Sequence, residues 1–184
     1  MHKIKLYGLG GQGVVTASKV ISHAVSIYEK KFSKTVPAYG HERRGAPVFS
    51  DVVIDTEPIL LNSFVYEPDY VVVFDPSVVD KGVDICKGAH EHTVLVINTD
   101  KESVIEKINH VFEFNKVYYV NATQISREVI GKDIPNGAML GALAKTGVVN
   151  LEAICSSLVE TFKGKAGEQN AVAARKAFNQ IEVK

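Results

Sequence analysis

Gly8-Leu9-Gly10-Gly11-Gln12-Gly13 has the spacing G-x-G-x-x-G and stands between a short apolar run and a helical pattern. Glycines there permit a tight turn and let a backbone approach a ligand closely. A helix that follows presents free N–H groups and positive potential to an anion. That spacing suits the pyrophosphate of a dinucleotide. A dinucleotide site also needs an acidic residue about 20 residues on, at the end of the second strand, to take a ribose hydroxyl. Ser33, Lys34, Thr35 and Val36 stand there, and Glu29 falls at the end of the helical pattern. Three readings stand side by side: a dinucleotide site, a plain strand-to-helix turn, and a loop facing a phosphate-bearing ligand or a partner. Gly10, Gly11, Gln12 and Gly13 are the residues that would serve the last.

The second unusual segment is Pro37-Ala38-Tyr39-Gly40-His41-Glu42-Arg43-Arg44-Gly45-Ala46-Pro47. It gathers rings, charges and conformationally special residues between two predicted strands. As a solvated loop it would hold only weak ion pairs. As a rigid recognition loop it would offer Tyr39, His41, Glu42, Arg43 and Arg44 to a partner, because the planar guanidinium fork binds carboxylates and phosphates bidentately.

Other chemistry-bearing residues are sparse. On a strand, His90 and His92 would share one face, but no carboxylate or third His follows at close spacing, so metal binding is not expected. Asp75 precedes Pro76 at a strand end and reads as a helix cap. Asp133 and Asn136 flank Pro135 as turn and cap residues. No Ser/His/Asp or Cys/His constellation is evident. Cys86 and Cys155 lie far apart and form no C-x-x-C pair. A thiolate-held iron–sulfur cluster takes four cysteines, so this chain cannot hold one alone. Two cysteines without a framework suit a reduced, cytoplasmic setting.

The elements that must position these residues follow from pattern. Residues 4–7 read as a first strand ending at the glycines. Ala17, Val20, Ile21, Ala24, Val25 and Tyr28 make one helical face. Residues 32–39 read as a second strand. Residues 47–54 and 59–61 read as short strands around the turn Asp55-Thr56-Glu57-Pro58, an antiparallel pair. Residues 69–75 are a continuous apolar run, so that strand is covered on both faces. The stretch 80–92 reads as a loop. Strands at 93–97 and 117–120 flank a helix over 102–110. Asn136 is placed to cap a helix starting just after Pro135, with Gly147 ending it, and that helix is apolar around most of its circumference, hence deep. Two further stripes run from Leu151 to Phe162 and from Ala171 to Ile181. The pattern predicts one α/β domain over residues 1–184, in three layers with a mixed sheet between helices.

Composition agrees. The chain has 184 residues with 21 Lys+Arg and 21 Asp+Glu, so it carries no net charge and no excess of basic residues for nucleic acid or membrane surfaces. The 46% apolar content fits a packed core. No apolar run approaches the roughly 20 residues of a membrane helix, and residues 1–6 read as a strand rather than a signal peptide.

Taken together, the glycine loop and the arginine loop bring a family into view. The chain resembles the gamma component of the thiamine-diphosphate-dependent 2-oxoacid:ferredoxin oxidoreductases. Four stretches carry the resemblance, in family order: Gly10-Gly11-Gln12-Gly13-Val14-Val15-Thr16-Ala17-Ser18, the 37–47 segment, Pro68-Asp69-Tyr70-Val71-Val72-Val73-Phe74-Asp75, and Ile134-Pro135-Asn136-Gly137-Ala138-Met139-Leu140-Gly141-Ala142. The Tyr39 to Pro47 form looks most like pyruvate-type members.

The resemblance implies a three-layer α/β/α gamma domain. It implies an enzyme complex that turns a 2-oxoacid and coenzyme A into acyl-CoA and CO2 and passes two electrons to ferredoxin. It implies alpha, beta and ferredoxin-like delta subunits as partners. Thiamine diphosphate, Mg2+ and the [4Fe–4S] clusters would sit on those, with no cofactor in this chain. It places the gamma component near the coenzyme A access region. The alternative is a stand-alone nucleotide-binding oxidoreductase built on the 8–13 loop.

Overall fold

The computed structural model describes residues 1–38, 44–60 and 62–184. Strand β1 (His2–Leu9) alternates: Ile4 and Leu6 are buried on one face, while Lys5 and Tyr7 point to the other. It is the third strand of a seven-stranded mixed sheet of order β2-β3-β1-β4-β5-β6-β7. Here β2 is Phe32–Pro37, β3 Pro47–Asp55, β4 Tyr70–Val73, β5 Val94–Asn98, β6 Lys116–Val120 and β7 Glu182–Val183. On one side β1 pairs antiparallel with β3, from His2 opposite Ile54 to Leu9 opposite Pro47. On the other it pairs parallel with β4, and β5 and β6 continue the parallel half.

Helix α1 (Val14–His23) follows the glycine turn and delivers the chain to β2. Strand β2 therefore runs parallel to β1, but β3 is inserted between them, since β2 pairs antiparallel with β3. This arrangement matters below.

The two faces of the sheet are covered unequally. Helices α1, α4 (Ala122–Ile130), α5 (Asn136–Ala144), α6 (Leu151–Phe162) and α7 (Gly164–Gln180) pack on the face of Ile4, Leu6, Val52, Val72 and Val96. The short α2 (Ser77–Asp80) and α3 (Glu102–Asn109) cover Val71, Val73, Leu95 and Ile97 on the opposite face. Every residue of α5 is buried, as its all-round apolar sequence predicts. Small residues let α5 approach α7: a Cβ on Gly141 would lie 1.9 Å from the Ala174 carbonyl oxygen, and one on Gly137 would lie 2.6 Å from Asn170 Oδ1. The three-layer α/β fold with a mixed sheet matches the expectation.

Several details differ from it. Residues 59 and 60 form no strand, and residue 61 lies outside the described residues. Both edges of β3 are already paired, with β1 and β2, so a 59–61 strand has no ladder to join on that side. Strand β2 ends at Pro37, and residue 39 also lies outside the described residues. The predicted helical face ending at Tyr28 is interrupted. After His23 the chain widens into a π-helical turn, Ala24–Tyr28, with Glu29 N–H donating to the Ala24 carbonyl. The wider turn rotates Tyr28 outward while Ala24 and Val25 stay buried. Asn136 is the first helical residue of α5 rather than the residue before it, and its Oδ1 accepts the Gly137 N–H at 2.8 Å. Helix α5 ends at Ala144, and the chain turns out through Gly147 at φ +85°. The loop over 80–92 is preceded by α2. Strand β7, two residues long, has no sequence signature and closes the far edge on β6.

Candidate functional site

The turn after β1 is fixed from three directions. Gln12 N–H donates to the Leu9 carbonyl at 3.1 Å, closing the turn on itself. Gly10 N–H donates to the Ala46 carbonyl at 2.8 Å, and Gly45 N–H returns a bond to the Gly10 carbonyl at 3.0 Å. The glycine turn and the chain entering β3 thus form one backbone-stapled unit. Gly11 and Gly13 adopt φ +94° and +80°, the left-handed region that glycine enters without cost.

Gly13 is the N-cap of α1 and supplies no side chain to it. No acidic residue stands in the first turn, and the first intrahelical bond runs from Ala17 N–H to the Gly13 carbonyl. The N–H groups of Val14, Val15 and Thr16 therefore lie ahead of the ladder. These residues, with Gly10, Gly11 and exposed Arg44, wall a crevice of about 430 Å³. The Arg44 stem packs beside Gly11: its Cγ is 3.6 Å from where a Cβ would sit. A helix N-terminus and a guanidinium facing one space make a surface suited to an anion.

Gln12 does not face that crevice. Its Oε1 accepts the Leu9 N–H at 2.9 Å and its Nε2 donates to Asp75 Oδ2 at 2.7 Å. Asp75 Oδ1 accepts the Ser77 N–H at 2.9 Å, which makes Asp75 the turn residue before α2, close to the predicted cap. Beside it, Asn98 Nδ2 donates to the Phe74 carbonyl and to Thr123 Oγ1, both at 2.8 Å. Side chains thus tie the C-terminal ends of β1, β4 and β5 to one another and to the start of α4. Asn136 packs against Gly13, with Nδ2 2.7 Å from the position of a Gly13 Cβ, so the amino ends of α1 and α5 meet. The partners Asp75 and Asn136 lie 63 and about 120 residues from the loop, and nothing in its local sequence announces them.

This geometry argues against the dinucleotide reading. In a βαβ dinucleotide unit the ribose carboxylate stands at the end of the strand next to the first. Here β3 occupies that place, and β2 lies two strand spacings from β1, roughly 9–10 Å. On the other side, the Gln12–Asp75 bond spans the ends of β1 and β4.

The remaining candidates are structural. Cys86 and Cys155 are free and pack into opposite faces of the sheet, so they cannot serve one cluster together. Burial first, and then Asp84, pushes the Cys86 thiol up to about 11, and burial raises that of Cys155. Neither is a ready nucleophile. His90 Nε2 lies 3.6 Å from Asp69 Oδ1, and no group of three potential metal ligands occurs among the described residues. The fold does assemble a Ser–His–Glu array that spacing could not reveal: His23 Nδ1 is 2.9 Å from Ser157 Oγ, and His23 Nε2 is 3.3 Å from Glu160. Ser157 is fully buried and gives its proton to the Val20 carbonyl, so its hydroxyl has no access to a substrate. Of the arginine loop, Arg44 is described and lies at the crevice; Tyr39, His41, Glu42 and Arg43 lie outside the described residues.

Comparison with known proteins agrees with this architecture. Residues 3–180 match the model of the family described as pyruvate ferredoxin/flavodoxin oxidoreductase. The chain is 44% identical to the pyruvate/ketoisovalerate oxidoreductases common subunit gamma of Thermococcus kodakarensis, covering 100% of this chain and 98% of the relative. It is 40% identical to pyruvate synthase subunit PorC of Methanocaldococcus jannaschii, over 98% and 97%. The crystal structure of pyruvate oxidoreductase subunit PORC from Thermotoga maritima superposes with a TM-score of 0.84 at 32% identity, over 100% and 98% of the two chains. No helix is long and apolar enough to cross a membrane among the described residues. The glycine turn, the mixed sheet and the end-to-end match converge: this chain belongs to the pyruvate ferredoxin/flavodoxin oxidoreductase family.

Proposed function

We propose that this chain is the gamma subunit of a thiamine-diphosphate-dependent 2-oxoacid:ferredoxin oxidoreductase, with pyruvate as the oxoacid. The reaction consumes 2-oxoacid, coenzyme A and two oxidised ferredoxins. It yields acyl-CoA, CO2, a proton and two reduced ferredoxins. Relatives named as gamma or PorC subunits cover the chain end to end, which supports the subunit reading. Cys86 and Cys155 pack into opposite faces of the sheet and do not fit one cluster; on this reading thiamine diphosphate, Mg2+ and the [4Fe–4S] clusters belong to alpha, beta and ferredoxin-like delta subunits. The chain works as one domain, in the cytoplasm, beside these partners.

The role of this chain lies on the coenzyme A side. The observation that carries it is the crevice where the uncapped start of α1 and Arg44 face the same space. Such a site binds phosphate oxygens through backbone N–H groups and a guanidinium fork. It contributes binding and orientation and takes no part in bond making.

The test is the reconstituted complex with Arg44→Ala in this chain. A buried interface arginine costs about 2 kcal/mol or more on truncation, whereas an exposed one changes stability by about 0.5 kcal/mol or less. The expected outcome is an unchanged melting temperature of the free chain with a raised KM for coenzyme A or weakened assembly. Wild-type values for both would remove the crevice from the active complex.

A further inference from the structure

The last residue of α1, His23, is half-buried against α6, and its ring is engaged at both nitrogens. Nδ1 lies 2.9 Å from Ser157 Oγ, and Nε2 lies 3.3 Å from Glu160 Oε2. Glu160 Oε1 accepts from the Tyr28 hydroxyl, so both carboxylate oxygens face groups of the 23–28 segment. The His23 and Tyr28 rings meet edge to face, with centroids 6.0 Å apart. These residues are five apart in sequence. In an α-helix they would stand about 140° apart around the axis. The i→i+5 bonding that follows His23 brings them toward one side. The π-helical turn thus presents both rings to the same carboxylate.

The proton count of this cluster is fixed from its buried end. Ser157 is fully buried, and its single hydroxyl proton goes to the Val20 carbonyl at 3.0 Å. Toward His23 its oxygen can therefore only accept, so Nδ1 carries a hydrogen. With Nδ1 protonated, a neutral ring would turn the Nε2 lone pair toward the Glu160 carboxylate, acceptor against acceptor. A charged ring places an N–H there instead. Glu160 favours the charged ring for a second reason. It stands in the last turn of α6, where the helix dipole disfavours an anion, and His23 is its one ion-pair partner among the described residues. The π-helical turn adds one further titratable group, Tyr28. Its bond to Glu160 holds that hydroxyl above the usual phenol range, so Tyr28 keeps its proton at neutral pH.

We propose that His23 is a proton-dependent latch. As an imidazolium it joins buried Ser157 to Glu160 and clamps the π-helical turn to α6; on losing the Nε2 proton it releases Glu160 and loosens the turn. Ser157 stays bonded to Nδ1 in both states, so the ring keeps its place while its outer nitrogen changes from donor to acceptor. Helix α1 then carries the Arg44 crevice at its first turn and the latch at its last. The latch is independent of the gamma-subunit reading.

Nitrogen-15 NMR of the His23 ring in the full chain reads the proton count directly. Both nitrogens should carry hydrogen on the acid side, and Nε2 alone should lose it as pH rises between about 5 and 8. Over that range, amide protection factors of residues 25–28 should fall at least about tenfold in the wild type and change less than about twofold in His23→Gln. Glu160→Gln keeps a side chain that can donate to a bare Nε2, so it should hold the turn at the alkaline end and flatten the profile equally. A ring that loses the Nδ1 proton first, with Ser157 turned to donate to it, overturns the proposal. So does a wild-type profile that Glu160→Gln leaves unchanged, or 25–28 protection that is equal at both ends of the range. If His23→Gln fails to fold, the ring titration and the Glu160→Gln profile decide without it.

Discussion

Gln12 Nε2 donates to Asp75 Oδ2 across 2.7 Å, so the turn after β1 is tied by a side chain to the end of β4. The same Gln12 side chain also satisfies the Leu9 N–H. Gln12→Ala removes both bonds and leaves a part-buried donor and acceptor without their partners. The expected loss is about 1–2 kcal/mol of unfolding free energy. Urea denaturation with an unchanged m-value measures it. A loss below about 0.5 kcal/mol would mean that the side chain does not hold the turn.

Gly11 and Gly13 both have positive φ but meet different surroundings. A Cβ on Gly11 makes only ordinary contact with the Arg44 stem at 3.6 Å. A Cβ on Gly13 would lie 2.7 Å from Asn136 Nδ2, where α1 and α5 meet. Gly11→Ala should cost about 1 kcal/mol, the left-handed backbone penalty alone. Gly13→Ala should cost more, by about 1 kcal/mol or above, from overpacking. Thermal melts of the two variants check the order. Equal losses would show that Asn136 yields freely.

Gly141 stands where α5 and α7 approach closely. Its absent Cβ leaves room for the Ala174 carbonyl, 1.9 Å from the vacant position. Backbone cannot rotate away as a side chain can, so Gly141→Ala must push the helices apart. The expected destabilisation is about 3 kcal/mol, whereas Ala142→Gly should cost only about 1 kcal/mol in propensity plus the loss of one buried methyl. Guanidinium unfolding of the pair decides. A Gly141→Ala variant as stable as the wild type would refute the close approach.

Asp51 is a buried carboxylate whose pKa is raised. Burial is the main cause, opposed by the Val65 N–H and by Lys5. A group held above its unfolded value stabilises the fold while protonated. That contribution is whole below the ordinary carboxyl range and is lost as pH rises through the folded value. Lys5→Met removes the cation opposing the burial and leaves the charge uncompensated. The expected cost is about 3 kcal/mol near neutral pH, shrinking as pH falls and Asp51, its pKa held up by burial, takes up its proton. Stability curves at several pH values test the sign. A cost that stays constant or grows on acidification would contradict it.

Much of the fold was legible because it is written in short-range periodicity. Alternation in residues 4–7, the apolar run at 69–75 and the all-apolar helix after Pro135 each report how many faces of an element are buried. The glycine turn was legible too, since positive φ and a bare helix start demand glycine locally. Strand pairing was not. Residues 59 and 60 of the predicted 59–61 strand are not in a strand, and both edges of β3 are filled by β1 and β2, a fact of topology rather than of local sequence.

The amino-acid sequence alone determined the layer architecture, the glycine turn and helix start at the site, and the inability of two cysteines to supply four thiolates. Tertiary structure alone decided that β3 stands between β1 and β2, which removes the strand end a ribose would need. It decided that Gln12 turns inward to Asp75 while Arg44 turns to the crevice. It also decided that Ser157 gives its proton to a carbonyl and that the Val65 N–H meets Asp51 over the sheet. Hydrophobic period and backbone conformation are properties of neighbouring residues. Which strand edge, carbonyl or carboxylate completes a given group depends on chain segments brought together from 60 to more than 130 positions away, and only packing selects among them.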